Sequence, residues 1–384
     1  MNTDKKVLLF VDRMRVGGIQ ILLVNLMKTL DKLKESEEIG ITFELLVLDD
    51  GLEYPLLEEV KKLGVTTHQL KGIWLRKPWN YIGYCKALHK FFGEHNDYQA
   101  IHMNSGPKNF FLLWYGKRFG IPVRIAHSHN SGYQTSSKLQ KALGDVFKIP
   151  LRRVATNYIA CSEKAGQWMF GKNLVEQGKV EILPNGVDLE EFRFSTEVRA
   201  QVRKELDIED KIVIGNVGRF TTQKNHKFLI KIFKEIHQKN QDTMLLLAGI
   251  GELMEDCEKQ VEELGLGEVV KFLGFRSDVT DLLQGMDLFL MPSLYEGFPV
   301  TGVEAQASGL PCVFTDTITR EAKLLDNVKF LSLESDAGIW AEEVLGVWEI
   351  AKIREQREGS YHVLKHKGFD IQEMIMNLRK VYIS

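Results

Sequence analysis

Two carboxylates stand eight residues apart in LYEGFPVTGVEAQASGLP, residues 294–311: Glu296, beside a Gly-Phe-Pro turn, and Glu304. The apolar run DLFLMPS (287–293) before them has the character of a buried strand, so Glu296 belongs to the loop past its C-terminal end. Pro299 suits a first helical turn, and Val303–Ala307 continue as helix. Glu304 then falls on about the second turn, roughly 12 Å along if all eight steps are helical. Gly297 and the open amides of the helix start offer a place for anionic oxygens. Carboxylates on either side can accept hydroxyl hydrogen bonds. A ligand with hydroxyls at both ends and phosphates between them, a nucleoside-diphosphate sugar, has that shape. A lone pair of glutamates at this spacing is more often a solvated loop and helix face; the preceding strand and the Gly-Phe-Pro turn make this one more specific.

A second cluster follows the apolar run KIVIGNVGR (211–219). In GNVGRFTTQKNH (215–226), Arg219 ends the strand and Lys224 comes five residues later, before a helix expected to start near Asn225. Two cations on one strand end would neutralise a diphosphate leaving group. The alternative is a pair of surface ion-pair formers. Gly215-x-x-Gly218 falls short of a full Gly-x-Gly-x-x-Gly, and the chain has no Gly-Lys-Ser/Thr. Near the N-terminus, RVGGIQ (15–20) sets Gly17 and Gly18 between a strand and a helix, where backbone either approaches a phosphate closely or simply turns tightly. RIAHSHNS (124–131) places His127 and His129 at a strand end on the same side. No third ligand has convincing spacing and no Asp-x-Asp occurs, so no metal is expected; either histidine can be the functional one.

These residues need a scaffold with several strand ends. At 384 residues, 44% hydrophobic and 27% charged, the chain suits two globular cores. No apolar run approaches the roughly 18 residues of a membrane span, and Val7–Val11 is too short for a secretion signal. The four cysteines (Cys85, Cys161, Cys257, Cys312) are scattered, which fits a reducing cytoplasm. Buried strands are expected at 6–14, 41–49, 99–105, 123–129 and 157–162, alternating with helices such as Ile19–Leu30 and Asn109–Phe119. After the Pro-Asn-Gly of ILPNGVD (182–188) the pattern restarts at 211–219, 243–249, 269–275, 287–293 and 311–316. The expectation is an α/β protein of two Rossmann-like, doubly wound domains, residues 1–184 and 185–368. In such sheets ligands bind past the carboxyl ends of strands, so two facing domains would hold one in a cleft. Residues 369–384 form a last helix: Asp370 and Glu373 make a capping box, and Ile371, Met374, Ile375 and Leu378 share a face that closes the second domain or crosses back to the first.

Taken together, Glu-x7-Glu, Gly-Arg-x4-Lys, LPNGVD (183–188) and GFRSDV (274–279) resemble the GT-B glycosyltransferases of the retaining GT4 type. The resemblance spans essentially the whole chain, and HSHN, EAQASGLP and TDTITRE lean toward bacterial capsular and exopolysaccharide enzymes. It implies transfer of a sugar from a nucleotide-sugar donor, a UDP-sugar, without cofactor or metal. It makes Glu304 the ribose ligand, Glu296 the ligand of the transferred sugar, and Arg219 and Lys224 the diphosphate ligands. Phe298, Pro299 and Val300 would lend backbone, Phe275 and Arg276 would flank the base, and a histidine at 127 or 129 would contact the donor sugar. The commoner family form has Glu where Gln20 stands, which leaves the polar contact there open. Two other functions share these features: a non-catalytic partner subunit of a transferase complex, and a sugar-nucleotide epimerase. An NAD-dependent enzyme lacks its glycine fingerprint.

Charge is unevenly spread. Lys71 to Arg153 carries fourteen Lys and Arg against Glu94, Asp97 and Asp145, a balance of +11, so the rest of a chain with net charge −2 carries −13. Segment 71–92 interleaves five cations with two Trp, two Tyr and two Phe, and segment 138–153 adds five cations. Nucleic acid is not the expected partner, because no recognised binding module is present. A solvated helical face over buried aromatics is one reading; an anionic membrane surface is the other. Since the resembled enzymes often use lipid-linked acceptors, the second is preferred: a cytoplasmic protein peripheral to the inner face of the plasma membrane, acting on a lipid-linked or oligosaccharide acceptor.

Overall fold

The computed structural model describes residues 4–34, 39–73, 80–133, 137–354, 357 and 359–384. Two compact units divide the chain, Met1–Val187 with Gly368–Ser384, and Asp188–Lys367. The division falls three residues beyond the 184/185 boundary expected from the Pro-Asn-Gly turn. The reason is a short parallel bridge: Val187 pairs with Asp370, its N–H donating to Phe369 O (2.9 Å) while Ile371 N–H donates to Val187 O (3.1 Å).

The first unit is a parallel sheet of seven strands: β1 (Lys5–Val11), β2 (Ile41–Asp49), β3 (Thr67–Lys71), β4 (Ala100–Met103), β5 (Val123–Ser128), β6 (Asn157–Ala160) and β7 (Val180–Ile182). Their order is β3-β2-β1-β4-β5-β6-β7, so the winding reverses between β1 and β4. The second unit has six parallel strands: β8 (Ile212–Val217), β9 (Thr243–Ala248), β10 (Val270–Gly274), β11 (Leu288–Met291), β12 (Cys312–Thr315) and β13 (Val328–Leu331). Their order is β10-β9-β8-β11-β12-β13, reversing between β8 and β11. Val7–Val11 and Leu288–Met291 are buried throughout, as parallel strands covered by helices on both faces must be.

Strands β3, β7 and β13 were not expected from the sequence. Each lies at a sheet edge and carries a short, partly exposed stretch (THQLK, VEI, VKFL) rather than a continuous apolar run. The last helix, Ile371–Ile383, belongs to the first unit. Ile371, Met374, Ile375, Leu378 and Tyr382 join Val7, Leu9, Leu23 and Phe43 in its core. Its N-cap is Asp370, whose carboxylate accepts from Gln372 N–H at 2.9 Å. The helix start presses on the chain: a Cβ at Gly186 would stand 2.7 Å from Ile371 Cα, so only glycine fits there.

Candidate functional site

In the second unit the expected residues gather past the ends of β8 and β11, the two strands that flank the reversal of winding. Arg219 lies just past β8 and is exposed; among the described residues nothing bonds its guanidinium. A short 3-10 turn, Thr222–Lys224, follows, and the 226–239 helix begins one residue after the expected Asn225. This turn is stitched to the loop past β11. Leu294 N–H donates to Gln223 O (2.8 Å), the Gln223 amide donates to Tyr295 O and to Glu296 Oε2 (both 3.0 Å), and Asn225, held in the left-handed region, donates to Pro292 O (3.1 Å). Lys224 thereby reaches Glu296: its ammonium stands 2.8 Å from Oε1. The angle leaves that oxygen without a hydrogen bond among the described residues.

The helix after Glu296 runs Val300–Ala307, with Pro299 at its cap and no side chain capping its first turn. The open amides there can meet anionic oxygens. Phe298 ahead of them is buried, and Gly297 precedes it in the loop. Glu304 sits on the second turn, 5% exposed. Burial pushes its carboxyl up to about 7, and the nearby Lys224 charge works against that rise. One ammonium therefore serves both glutamates. The two glycines ahead of Arg219 act by packing: a Cβ at Gly215 would lie 2.0 Å from Met286 Sδ, and one at Gly218 would lie 3.2 Å from the Lys224 stem. Phe275 is 46% exposed past β10. Arg276 is not free beside it: its Nε lies 2.7 Å from Asp278 Oδ1, and its guanidinium also meets Glu205 at 3.4 Å.

In the first unit, Gly17 ends the loop after β1 and Gly18 opens the Gly18–Lys34 helix. The open question at Gln20 has an answer in hydrogen-bond chemistry. Its amide donates to Arg13 O at 2.9 Å, fastening the glycine loop, and a glutamate could not donate that bond. His127 ends up on β5 and His129 just beyond it, their ring centroids 3.9 Å apart. Sequence reasoning missed the groups that hold them. His102 on β4 bonds His127, Tyr382 from the last helix bonds His102, and Asn104 and Asn185 bond His129. Burial pushes His102 down to about 3 and His129 to about 4, with His127 also well below the usual range, so the cluster is neutral near pH 7. A β-strand alternates its faces, so His102, paired in register with Ile125, shares the face of His127; that register is invisible in a single sequence.

The basic segments partly serve the fold. Residues 74–79 of segment 71–92 lie outside the described residues; the rest forms the end of β3 and most of the Asn80–Glu94 helix, where Tyr84, Phe91 and Phe92 are buried. In segment 138–153, Lys148 lies over the rings of Tyr133 and Trp168, and Arg152 donates to Phe170 O. The fourteen cations therefore overstate the free positive surface. Yet the Lys138–Val154 helix leaves Leu139, Leu143, Val146 and Ile149 between 41% and 70% exposed.

Comparison with known proteins decides the family. Residues 16–191 match the family described as Glycosyltransferase Family 4, and residues 198–355 match Glycosyl transferases group 1. The putative glycosyltransferase EpsF of Bacillus subtilis is 32% identical over 99% of this chain and 97% of its own. The chain belongs to the GT4-type glycosyltransferases. A UDP-Gal:alpha-D-GlcNAc-diphosphoundecaprenol alpha-1,3-galactosyltransferase of Escherichia coli is 28% identical to this glycosyltransferase over 57% of the chain and 58% of its own. Among solved structures, Anabaena HepE in complex with UDP and glucose superposes with a TM-score of 0.78 at 18% identity, covering 99% of this chain and all of that one. The architecture is thus GT-B, two Rossmann-like α/β halves. No helix among the described residues is long and apolar enough to cross a membrane.

Proposed function

We propose that this glycosyltransferase moves a sugar from a UDP-sugar to a hydroxyl of a lipid-linked or oligosaccharide acceptor, with retained anomeric configuration, in capsular or exopolysaccharide assembly. The observation that carries the donor half is the placing of Lys224 against Glu296 and near Glu304, beside an uncapped helix start and a free Arg219. Glu304 takes the ribose hydroxyls, and Phe298, Pro299 and Val300 present backbone to the diphosphate together with Arg219 and Lys224. Donor binding turns Lys224 from Glu296 toward phosphate and leaves that carboxylate for hydroxyls of the transferred sugar. Phe275 lies against the base, with Arg276 held to one side by Asp278. The first unit has candidate ligand contacts of its own, the Gly17-Gly18 backbone and a histidine at the end of β5.

In the reaction, the bond from the anomeric carbon to the diphosphate oxygen breaks. The acceptor oxygen bonds to that carbon on the same face, and its proton passes to the departing phosphate. Arg219, Lys224 and the helix-start amides act on the negative charge that grows on the diphosphate, where fixed charges and dipoles count most. They take the place that a metal ion holds in other transferases, and no metal is required.

The acceptor half rests on the exposed apolar row of the Lys138–Val154 helix. Beside it runs a groove of about 510 Å³ lined by Trp114, Lys117, Arg118, Pro150 and Arg153. An apolar row rimmed by cations suits the inner face of an anionic membrane.

Thermal unfolding of the protein with UDP, GDP, ADP or NAD, without added metal, tests the donor assignment. A ligand at about a hundred times its Kd adds roughly 2.7 kcal/mol to the folded state, which moves Tm by several degrees. A rise with UDP that disappears in Glu304→Ala is expected. A rise with ADP or NAD and none with UDP would replace the donor, and no rise with any of them would remove the nucleotide site.

A further inference from the structure

Part of the basic, aromatic segment 71–92 lies outside the proposed membrane surface. Ile82, Cys85, Lys86, His89 and Lys90 recur at helical spacing and form one stripe of the Asn80–Glu94 helix. The neighbouring Phe110–Arg118 helix contributes Phe111 and Tyr115, one turn apart. With Tyr81, the two rows line a groove of about 610 Å³, within the size range of ligand pockets.

The groove changes character along its length. At one end stand Ile82, 64% exposed, and the rings of Tyr81 and Phe111, with centroids 5.6 Å apart. Both rings also meet Phe147, at 5.7 and 6.3 Å between centroids, so this end continues into the Lys138–Val154 helix that carries the exposed apolar row. One to two turns beyond Ile82, roughly 6–12 Å along the axis, come Lys86 and Lys90, with His89 beside them. Both lysines are exposed, and among the described residues neither ammonium has a hydrogen-bond or ion-pair partner. No acid lines the groove among the described residues. An apolar end and an unpaired cationic end match an amphiphile with an anionic head. A second copy of this chain does not fit, because a symmetric contact would bring like charges together.

We infer that this groove holds a single anionic phospholipid, its acyl chain along Tyr81, Ile82 and Phe111 and its phosphate between Lys86 and Lys90. The inference rests on the reading that this unit meets an anionic membrane, and it adds to that broad surface a site that selects the charge of one headgroup.

Dioctanoyl phosphatidylglycerol below its critical micelle concentration is the probe, because it presents head and chains without a bilayer. Titration calorimetry of the full-length protein should find one site. Its Kd should rise about tenfold or more in the double variant Lys86→Ser with Lys90→Ser, since each cation near an anionic headgroup contributes about fivefold. Both positions are exposed, so the variant should melt as wild type does. Cys85 locates the site, because it lines the groove while the other three cysteines are buried. The lipid should slow alkylation of Cys85 by N-ethylmaleimide severalfold, and dioctanoyl phosphatidylcholine or glycerol phosphate should slow it far less. No binding, binding that leaves Cys85 unprotected, equal protection by phosphatidylcholine, or a Kd indifferent to the two lysines overturns the inference. Tighter binding of farnesyl phosphate overturns it too, by making the occupant a prenyl lipid. Leu143→Glu separates this site from the membrane surface: it should weaken vesicle sedimentation and leave the Kd of the monomeric lipid unchanged. If wild type ignores vesicles yet binds the monomeric lipid at Cys85, the membrane surface falls and the groove stands.

Discussion

At Glu304 a carboxyl is buried on a helix turn with no hydrogen bond among the described residues, and its pKa is pushed from 4.5 up to about 7. Between those two values the folded protein keeps a proton that the unfolded chain has released. Stability therefore falls as pH rises through that window, by on the order of 3 kcal/mol in full. Glu304→Gln cannot ionise. Denaturant melts should find the variant more stable than wild type above pH 7, with the difference closing toward pH 4.5; a difference of constant size would deny the perturbed carboxyl. An ionised carboxylate is also the better acceptor for a ribose diol, so under the proposed function the same group that weakens the fold near neutrality would strengthen nucleotide binding. Both glutamates, Arg219 and Lys224 were legible from residue type and position after apolar runs. The partners that fix them were not. Gln223 bonds Glu296 across 73 positions of chain and Tyr382 bonds His102 across 280, and such pairs exist only once the strands are set side by side.

Among the elements, central strands announced themselves because both faces are buried and the apolar run is unbroken. Edge strands β3, β7 and β13 escaped because half-exposed sequences of three to five residues look like loops. The last helix was half legible: its stripe required a core, but which core depends on the Val187–Asp370 bridge. Ile375 is fully buried in the first unit. Ile375→Ala should cost about 2–5 kcal/mol, read as a loss in denaturant midpoint, because the cavity lies where helix and sheet leave little room to relax. A cost below about 0.5 kcal/mol would mean the helix is not docked. The Lys138–Val154 helix behaves oppositely. Leu143 is 41% exposed, so Leu143→Glu should leave the melting profile within about 0.5 kcal/mol of wild type and weaken sedimentation with phosphatidylglycerol vesicles at least severalfold. Undiminished vesicle binding would point to another surface.

Across the whole molecule, a formal charge of −2 conceals a basic stretch and an acidic remainder. Cations engaged within the fold, such as Lys148 over Tyr133 and Trp168 and Arg152 on Phe170 O, reduce the free positive charge, so vesicle binding should weaken with salt yet keep an apolar part that salt does not touch. The chain is a glycosyltransferase whose donor chemistry, on this account, is concentrated in the second unit around one ammonium shared by two carboxylates. Titration calorimetry of UDP into wild type, Glu304→Ala and Glu296→Ala tests that most directly. The account predicts a wild-type heat at one site, a loss of affinity of tenfold or more in Glu304→Ala, and a Glu296→Ala protein that still binds UDP within a few-fold of wild type. Equal loss in both variants, or UDP binding indifferent to Glu304, would contradict it.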